Sequence, residues 1–512
     1  MKSTYAVILD NWIPRGSYIE MRRGHIDHVT GTTDPVETIV TYAGGAGDTI
    51  LACAGSAIYD ATTSGGLPSA LYGSAASARW NWTNYANDAG RYALMVNGEQ
   101  TPIKYDGSAI STNAITGSSG SITLSDANLK FVMAHKGRLH WGEKSNLRVW
   151  YLPVASIAGA SNLLDLGPVL TSGGNLVGMA TWSRDNGAGG ADDLAVYVTT
   201  EGQAAVYQGS NPGDANDWSL VGVYDFARPV GDRPLIRDGG ELCIITEEGV
   251  LPLSIALAYS RADQKPQMLS AKVATAFADA SSSYGALFGW QATHYSGRGS
   301  MMIINVPTEE GVSAMQYVRT SSGAWCRFTG LSAICWGTAN GQVYFGGPVG
   351  VYRWDIGASD NGQPIVPDVL PAFSDFGNRT ATKQVTMVRA LLYAPSIVRP
   401  ALDVVADYDK TTIPTSIQNL VQPGDISSDD ETTIRDEWTA AGAVGYVFAP
   451  RMRFALTGED DTDRVAVTSD LSELLLVGPG GTDNVLTRPN LPLDVSVRCV
   501  GWDLMFNPGG PL

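Results

Sequence analysis

Short apolar runs, each closed by a polar turn ending in glycine, recur along the first two thirds of the chain. Three of the turns are nearly identical: Thr199-Thr200-Glu201-Gly202, Thr246-Glu247-Glu248-Gly249 and Thr308-Glu309-Glu310-Gly311. Each follows a β-rich run (Leu194-Ala195-Val196-Tyr197-Val198, Leu242-Cys243-Ile244-Ile245, Met302-Ile303-Ile304-Asn305-Val306) and leads into another apolar stretch. A glycine closing a short polar loop supplies the positive φ that a hairpin turn needs, so the pattern predicts hairpins. The strand after each turn ends in an apolar anchor, usually aromatic. The anchors Tyr59, Tyr105, Tyr151, Tyr207, Leu253, Tyr317 and Tyr352 are 46, 46, 56, 46, 64 and 35 residues apart. A period near 46 in an all-strand pattern is the signature of a propeller blade, a four-stranded unit that cannot bury its faces alone. The predicted fold is therefore all-β, with a β-propeller of six or seven blades over residues 36–356. Seven blades are favoured by the anchors, although the short final interval lets two of them share a blade.

Residues 1–35 read as a leader with strand-like pieces, suited to donating a strand that closes the ring and removes an exposed sheet edge. Two long intervals interrupt the period. One holds residues 267–278, where Leu269, Val273 and Phe277 at i, i+4 and i+8 predict an amphipathic helix. The other holds Asp185-Asn186-Gly187-Ala188-Gly189-Gly190, a flexible loop tip. Residues 357–371, rich in Gly, Pro and Asp, are expected to be a linker. Residues 372–512 return to a β pattern and predict an acidic C-terminal β-domain, a sandwich or barrel-like platform.

Composition sharpens this picture in three places. The 58 glycines and only 17% charged residues suit an all-β chain with many tight turns. No stretch approaches the 18 or more apolar residues of a membrane span, so no membrane insertion is expected. The N-terminal apolar run is too short for a signal peptide, which predicts assembly in a cytoplasm. The five cysteines are scattered and never in a C-x-x-C pair, which predicts reduced, structural thiols. Net charge is -17, and residues 401–512 hold 18 Asp or Glu against 7 Lys or Arg, a balance of -11. An acidic chain is poorly suited to tight phosphate binding. Such charge either keeps a large assembly soluble or lines a passage through which DNA slides without sticking.

Candidate chemistry is sparse. His25-Ile26-Asp27-His28 offers two imidazoles and a carboxylate, but nothing nearby supplies further metal ligands. Gly458-Glu459-Asp460-Asp461-Thr462-Asp463 lacks the alternating ligands of a calcium loop. Gly44-Gly45-Ala46-Gly47-Asp48 has no following Lys-Ser/Thr and reads as a hairpin tip, while Asp375-Phe376-Gly377 matches a kinase motif by letters only. No histidine falls in a nucleophile–base arrangement and no Gly-x-Ser-x-Gly elbow occurs. The tryptophans, Trp80, Trp82, Trp141, Trp150, Trp182, Trp325, Trp336 and Trp354 among them, fall mostly in blade strands, where core packing outweighs a ligand platform. No catalytic residue, cofactor or metal is expected.

Certain runs carry a resemblance. Asn11-Trp12-Ile13-Pro14 with Glu20-Met21-Arg22-Arg23-Gly24 resembles the opening of tail nozzle (tail tubular, or stabilisation) proteins of short-tailed bacteriophages. Gly323-Ala324-Trp325-Cys326-Arg327-Phe328-Thr329-Gly330, Tyr344-Phe345-Gly346-Gly347, residues 373–380 and the closing Asn507-Pro508-Gly509-Gly510 are similar to stretches of that group and of related prophage tail proteins. The resemblance implies a propeller joined to a β platform and a homo-oligomer, with six copies in a ring below the portal and its adaptor (head–tail connector). It also implies contact with tail fibre, spike or needle proteins, transient passage of genomic DNA, and a place in the virion tail. On that expectation Trp12, Arg22, Arg23, Arg451 and Arg453 are candidate assembly contacts that offset repulsion between acidic neighbours. Asp429, Asp430 and Glu431 are candidates for the lumen or an exposed loop. The competing expectation is a carbohydrate-binding or glycosidase-type propeller acting on host surface polysaccharide, whose paired carboxylates sequence spacing does not reveal. The missing signal peptide and the absent Ser-x-Asp-x-Gly-x-Thr-Trp repeat weigh against it.

Overall fold

The computed structural model describes residues 6–45, 47–185, 191–394, 400–414, 433–435, 438–454 and 497–508. The chain forms two compact units, Asp27–Tyr317 with Leu331–Arg353, and Met1–Ile26 with Val318–Gly330 and Trp354–Leu512.

The larger unit is a β-propeller. Five sheets are each built from one consecutive stretch of chain and stand alone as blades. Blade one holds Val36–Ala43, Asp48–Ala54, Ala57–Asp60 and Ala70–Tyr72; blade two holds Asn81–Asn87, Gly90–Val96, Ile103–Tyr105 and Ile110–Thr112. Blade three runs from Ile115–Ser119 to Gly159–Asp165, with Leu129–His135 as its inner strand. Blade four holds Leu176–Asp185, Ala191–Thr199, Gln203–Gln208 and Ser219–Asp225, and blade five Leu235–Asp238, Glu241–Thr246 and Gly249–Pro252. The expected six or seven blades are thus corrected to five self-contained ones. Two further groups of strands, starting at Gln291–Tyr295 and Cys335–Ala339, complete the circuit without being closed blades. The physical reason lies in the fourth strand. After Met301–Glu309 and Ser313–Thr320, the next strand, Trp325–Phe328, belongs to the other unit. After Gln342–Gly347 and Gly350–Trp354, the neighbouring place is taken by the leader strand His25–Thr30. That strand also pairs with Gly65–Gly66, in the segment between the third and fourth strands of blade one, and the Gly31 amide donates to the Val349 carbonyl at 3.2 Å.

The blade strands are nearly continuous apolar runs because each sheet is buried on both faces. In blade four, Val196 and Val198 pack with Leu242 and Ile244 of blade five, while Ala195 and Tyr197 pack with Phe131, Met133 and Val149 of blade three. The period-two alternation of a strand thus serves two neighbours at once. The same split occurs in blade two, where Ala93 and Met95 join the core of blade one and Leu94 and Val96 that of blade three. Where inner strands come closest the chain uses glycine: a Cβ at Gly337 would lie 2.4 Å from the Ile39 side chain of blade one.

All three Thr-Glu-Gly turns are hairpins between second and third strands, with Gly202, Gly249 and Gly311 at positive φ. The threonine braces the turn: Thr246 Oγ1 donates to the Gly249 carbonyl at 2.7 Å, and Thr199 Oγ1 accepts from the Gln203 amide at 3.1 Å. The expected helix over 267–278 is displaced. A 3-10 turn covers Ala271–Val273 and the α-helix runs Ala274–Tyr284, burying Phe277 and Ala280. Met268 packs outside any helix, in the core of blades four and five. The expected loop tip at Asn186–Gly190 lies outside the described residues.

The smaller unit is also all-β, and three separate chain stretches build it. One sheet includes Ala6–Asp10, Asp368–Pro371, Phe448–Arg453 and Ala401–Ala406, and a second includes Trp12–Pro14, Ile19–Met21, Arg498–Pro508 and Lys383–Ala394. They share a core of Trp12, Met21, Val369, Leu392, Met452, Phe454 and Cys499. Within residues 357–371, expected as a linker, the chain forms the short strands Ser359–Asp360, Gln363–Pro364 and Asp368–Pro371.

Candidate functional site

In a propeller the inner strands surround an axial passage, the usual place for a ligand or a channel. The segment leading into blade five carries Arg233, whose side chain bonds to residues of blades one and two and to Gln291. Its Nη2 donates to Thr38 Oγ1 at 2.6 Å and to the Trp80 carbonyl at 2.9 Å, at the starts of the inner strands of blades one and two. Its Nη1 donates to the Glu37 carbonyl at 3.2 Å and to Gln291 Oε1 at 3.4 Å. Among the described residues no carboxylate pairs with it. Burial is the largest influence on Arg233 and pulls its pKa down, yet a guanidinium stays charged at any ordinary pH. Five oxygen and aromatic contacts therefore surround this cation, the fifth being the Phe288 ring, 5.3 Å from the guanidinium carbon.

The Phe288 ring also receives Arg79, whose guanidinium carbon is 4.2 Å from its centre. Arg79 Nε donates to Glu37 Oε1 at 2.9 Å, and its Nη2 donates to Glu310 Oε1 at 2.5 Å. Burial opposes the charge of Arg79, but the two carboxylates outweigh it and hold the guanidinium protonated. Glu310 belongs to one of the repeated hairpin turns. The other two turns do the same: Glu201 accepts from Arg228 at 2.7 Å, and Glu248 accepts two bonds from Arg261 at 2.9 and 3.0 Å. The turn glutamates are thus one half of a repeated clamp, which sequence reading noticed only as a turn.

Arg233 also lines a pocket of about 160 Å³, together with Asn81, Trp82, Phe131, Met179 and Asp232 among others. Lys130 Nζ donates to Asp232 at 3.0 Å at its rim. Among the described residues no group of three His, Cys, Asp or Glu side chains converges to hold a metal.

A second polar centre lies in the smaller unit and gathers the residues singled out in the sequence. Arg22 is fully buried; its Nη1 and Nη2 donate to the two oxygens of Asp360 at 2.8 and 2.5 Å. Its Nε donates to Asn11 Oδ1 at 2.7 Å, and Nη2 also donates to the Thr329 carbonyl at 2.8 Å. Asn11 in turn accepts from the Thr329 amide at 2.9 Å and donates to Thr329 Oγ1 and the Val366 carbonyl. His25 Nδ1 sits 3.1 Å from Asp360 Oδ1. Burial works to raise the pKa of Asp360, and the Arg22 guanidinium outweighs it, so the net shift is downward. Trp12 is fully buried against Phe454. Arg451 is buried and forks onto Asp368 at 3.1 and 2.7 Å, with Arg453 Nε 4.0 Å from the same carboxylate. Arg23 is partly buried. Trp12, Arg22 and Arg451 are therefore engaged inside their own chain.

Asp429, Asp430, Glu431 and the acidic run 458–463 lie outside the described residues. His25 and His28 do not converge; His28 Nε2 faces the Ala61 carbonyl at 2.9 Å. Gly44, Gly45 and Gly47 lie between the paired strands Val36–Ala43 and Asp48–Ala54, and Asp375-Phe376-Gly377 is a tight turn in which the Gly377 amide donates to Asp375 Oδ1 at 3.0 Å. All five cysteines are buried and outside any disulfide among the described residues.

No family model matches this chain, and no curated protein matches it. Similar solved structures include BBS1N in complex with ARL6DN, at 10% identity over 68% of this chain and 99% of that one, with a TM-score of 0.40. The Vanderwaltozyma polyspora Nup133 β-propeller domain is 8% identical over 67% of this chain and 98% of that one, with a TM-score of 0.30. Chaetomium thermophilum Raptor is 10% identical over 69% of this chain and 29% of that one, with a TM-score of 0.36.

Proposed function

We propose that this protein is a structural component of a bacteriophage tail. Copies form a ring-shaped nozzle below the portal and adaptor, and the ring conducts the genome during ejection without catalysing a reaction. In this reading the propeller and the smaller unit, acting as a β-sandwich platform, are building material, and the ring is homohexameric. The observation that supports it is where the resembling runs meet. Asn11, Arg22 and Thr329 come from three of them, are separated by up to 318 positions, and join in one buried hydrogen-bonded knot. Residues that build a fold are placed this way, whereas catalytic groups need access to a substrate. The net charge of -17 fits a wall that polyphosphate slides past, since sticky Lys and Arg contacts would slow it.

The test is negative-stain imaging of the purified full chain, alone and with an adaptor ring. Rings with a central hole and defined copy number support the proposal. A dispersed monomer that turns over host polysaccharide, with activity lost on changing one carboxylate pair, would replace it with the glycosidase reading.

A further inference from the structure

We propose that Arg233 is a closure pin: it crosses the propeller axis, locks non-adjacent blades together and keeps the axial passage shut. The argument starts from reach. Neighbouring blades are already joined by apolar cores, such as Val196 with Leu242 and Ala93 with Val40. Arg233 does something else, because its acceptors lie 195, 153 and 58 positions away on Thr38, Trp80 and Gln291. Blades one and two lie across the circuit from blade five, so a side chain touching them spans the lumen.

Each acceptor is itself fixed. Thr38 Oγ1 donates to the Ala78 carbonyl at 2.7 Å and accepts from the Trp80 amide at 3.0 Å. Gln291 Nε2 donates to the Trp336 carbonyl at 3.0 Å while its Oε1 accepts from the Trp336 amide at 3.2 Å. A planar guanidinium with donors in a rigid fork suits several oxygens at set angles, which an ammonium cannot reproduce. The ring of Phe288 lies within 5.3 Å of both the Arg233 and the Arg79 guanidinium carbons, with Glu37 and Glu310 balancing the second charge. A pair of guanidinium groups beside a closed axis leaves no bore for a polymer. Any conduit built from copies of this chain therefore runs between copies, a corollary that rests on the nozzle reading, whereas the pin does not.

Two native cysteines report on the pin. Cys53 is the ladder partner of Thr38, and Cys335 Sγ donates to the Val36 carbonyl at 3.2 Å; both are fully buried. Cys243, Cys326 and Cys499 are buried elsewhere and serve as controls. The experiment is N-ethylmaleimide labelling of the folded full chain, read cysteine by cysteine by mass spectrometry. In Arg233→Ala, labelling at Cys53 and Cys335 should rise at least about tenfold while the three controls keep their wild-type rates. Arg233→Lys keeps the charge but not the fork and should give an intermediate rise at the same two positions; it decides the matter alone if the alanine variant does not fold. No selective rise in either variant, or an equal rise at all five cysteines, would overturn the proposal. Neither result depends on whether the protein forms rings, so failure of the pin and failure of the nozzle reading are distinguishable.

Discussion

Replacing Asp360 with Asn tests the knot that holds the smaller unit's three chain stretches. The substitution keeps size and shape but removes the charge facing Arg22, which is fully buried and donates to both carboxylate oxygens. The asparagine amide retains one oxygen acceptor and turns donors toward the guanidinium. At an effective dielectric near 20, a unit pair at about 4 Å interacts by about 4 kcal/mol. Removing one partner of a buried pair costs about 3–5 kcal/mol, because the other charge is left uncompensated. Two compact units make a single global unfolding energy a poor readout. Amide hydrogen exchange is better, followed at Asn11, Arg22 and Thr329, whose amides donate to Arg327 O, Asn11 O and Asn11 Oδ1. A loss of that size speeds exchange there by about two to three and a half orders of magnitude, since 1.4 kcal/mol is tenfold. Arg22→Met with Asp360→Leu should cost less than the two single changes added together, because no buried charge is left alone. Asp360 contributes fully above its unfolded value of 3.8, and the contribution is lost as pH falls through its lower folded value. Protection in Asp360→Asn within about tenfold of wild type, or strictly additive single and double variants, would refute the reasoning.

Three further outcomes follow from other sites. His140 is fully buried in blade three, and burial drops its pKa from 6.5 to about 3, so the unfolded chain takes up a proton that the folded one refuses. Stability should fall on acidification from pH 6.5 towards 3, by up to about 1.4 kcal/mol per pH unit from this group, and His140→Leu should flatten that slope in denaturation curves. Gly337→Val should destabilise the propeller by at least about 1–3 kcal/mol by forcing Ile39 and the adjoining inner strand apart, measured as a lowered urea midpoint. Arg228→Ala should change that midpoint little, by under about 1 kcal/mol, because the pair with Glu201 is largely solvent-exposed.

The repeat was legible because each sheet of the circuit uses the same local chemistry. Tyr59, Tyr105, Tyr151, Tyr207, Tyr317 and Tyr352 all fall on third strands, and the repeated turns precede two of those strands, while the anchor Leu253 opens a short helix after Gly249–Pro252. Spacing alone could not show which sheets stand alone, since the strand after Ser313–Thr320 belongs to the other unit and the neighbour of Gly350–Trp354 is the distant leader strand, both of which leave the anchors in place. The helix near residue 270 was misplaced because Leu269, Val273 and Phe277 match a helical period, yet the Ser270 side chain is taken by the Val250 amide at 2.9 Å. That bond fixes Ser270 beside blade five, and the α-helix starts only at Ala274. Arg22 and Arg451 were visible as charges but not as internal partners. Their carboxylates, Asp360 and Asp368, lie 338 and 83 positions away.

Arg233 gave no sequence signal at all, and the reason is general to closed β architectures. Periodicity reports what every blade needs, namely apolar alternation and a turn, while an axial contact is made once and from one loop. A lone arginine between Asp232 and Pro234 looks like any surface charge. Its role depends on the circuit bringing Thr38, Trp80 and Gln291 to one end of the axis, and no local pattern encodes that meeting. The repeated and the unique parts of the molecule therefore carry different functions. Repetition supplies a stiff wheel whose cores lie between blades. The single residues at the axis and in the Arg22–Asp360 knot close the wheel and fasten the smaller unit's strands. The burial of these unique positions predicts that substitutions there cost more than substitutions at the exposed clamps of the repeats.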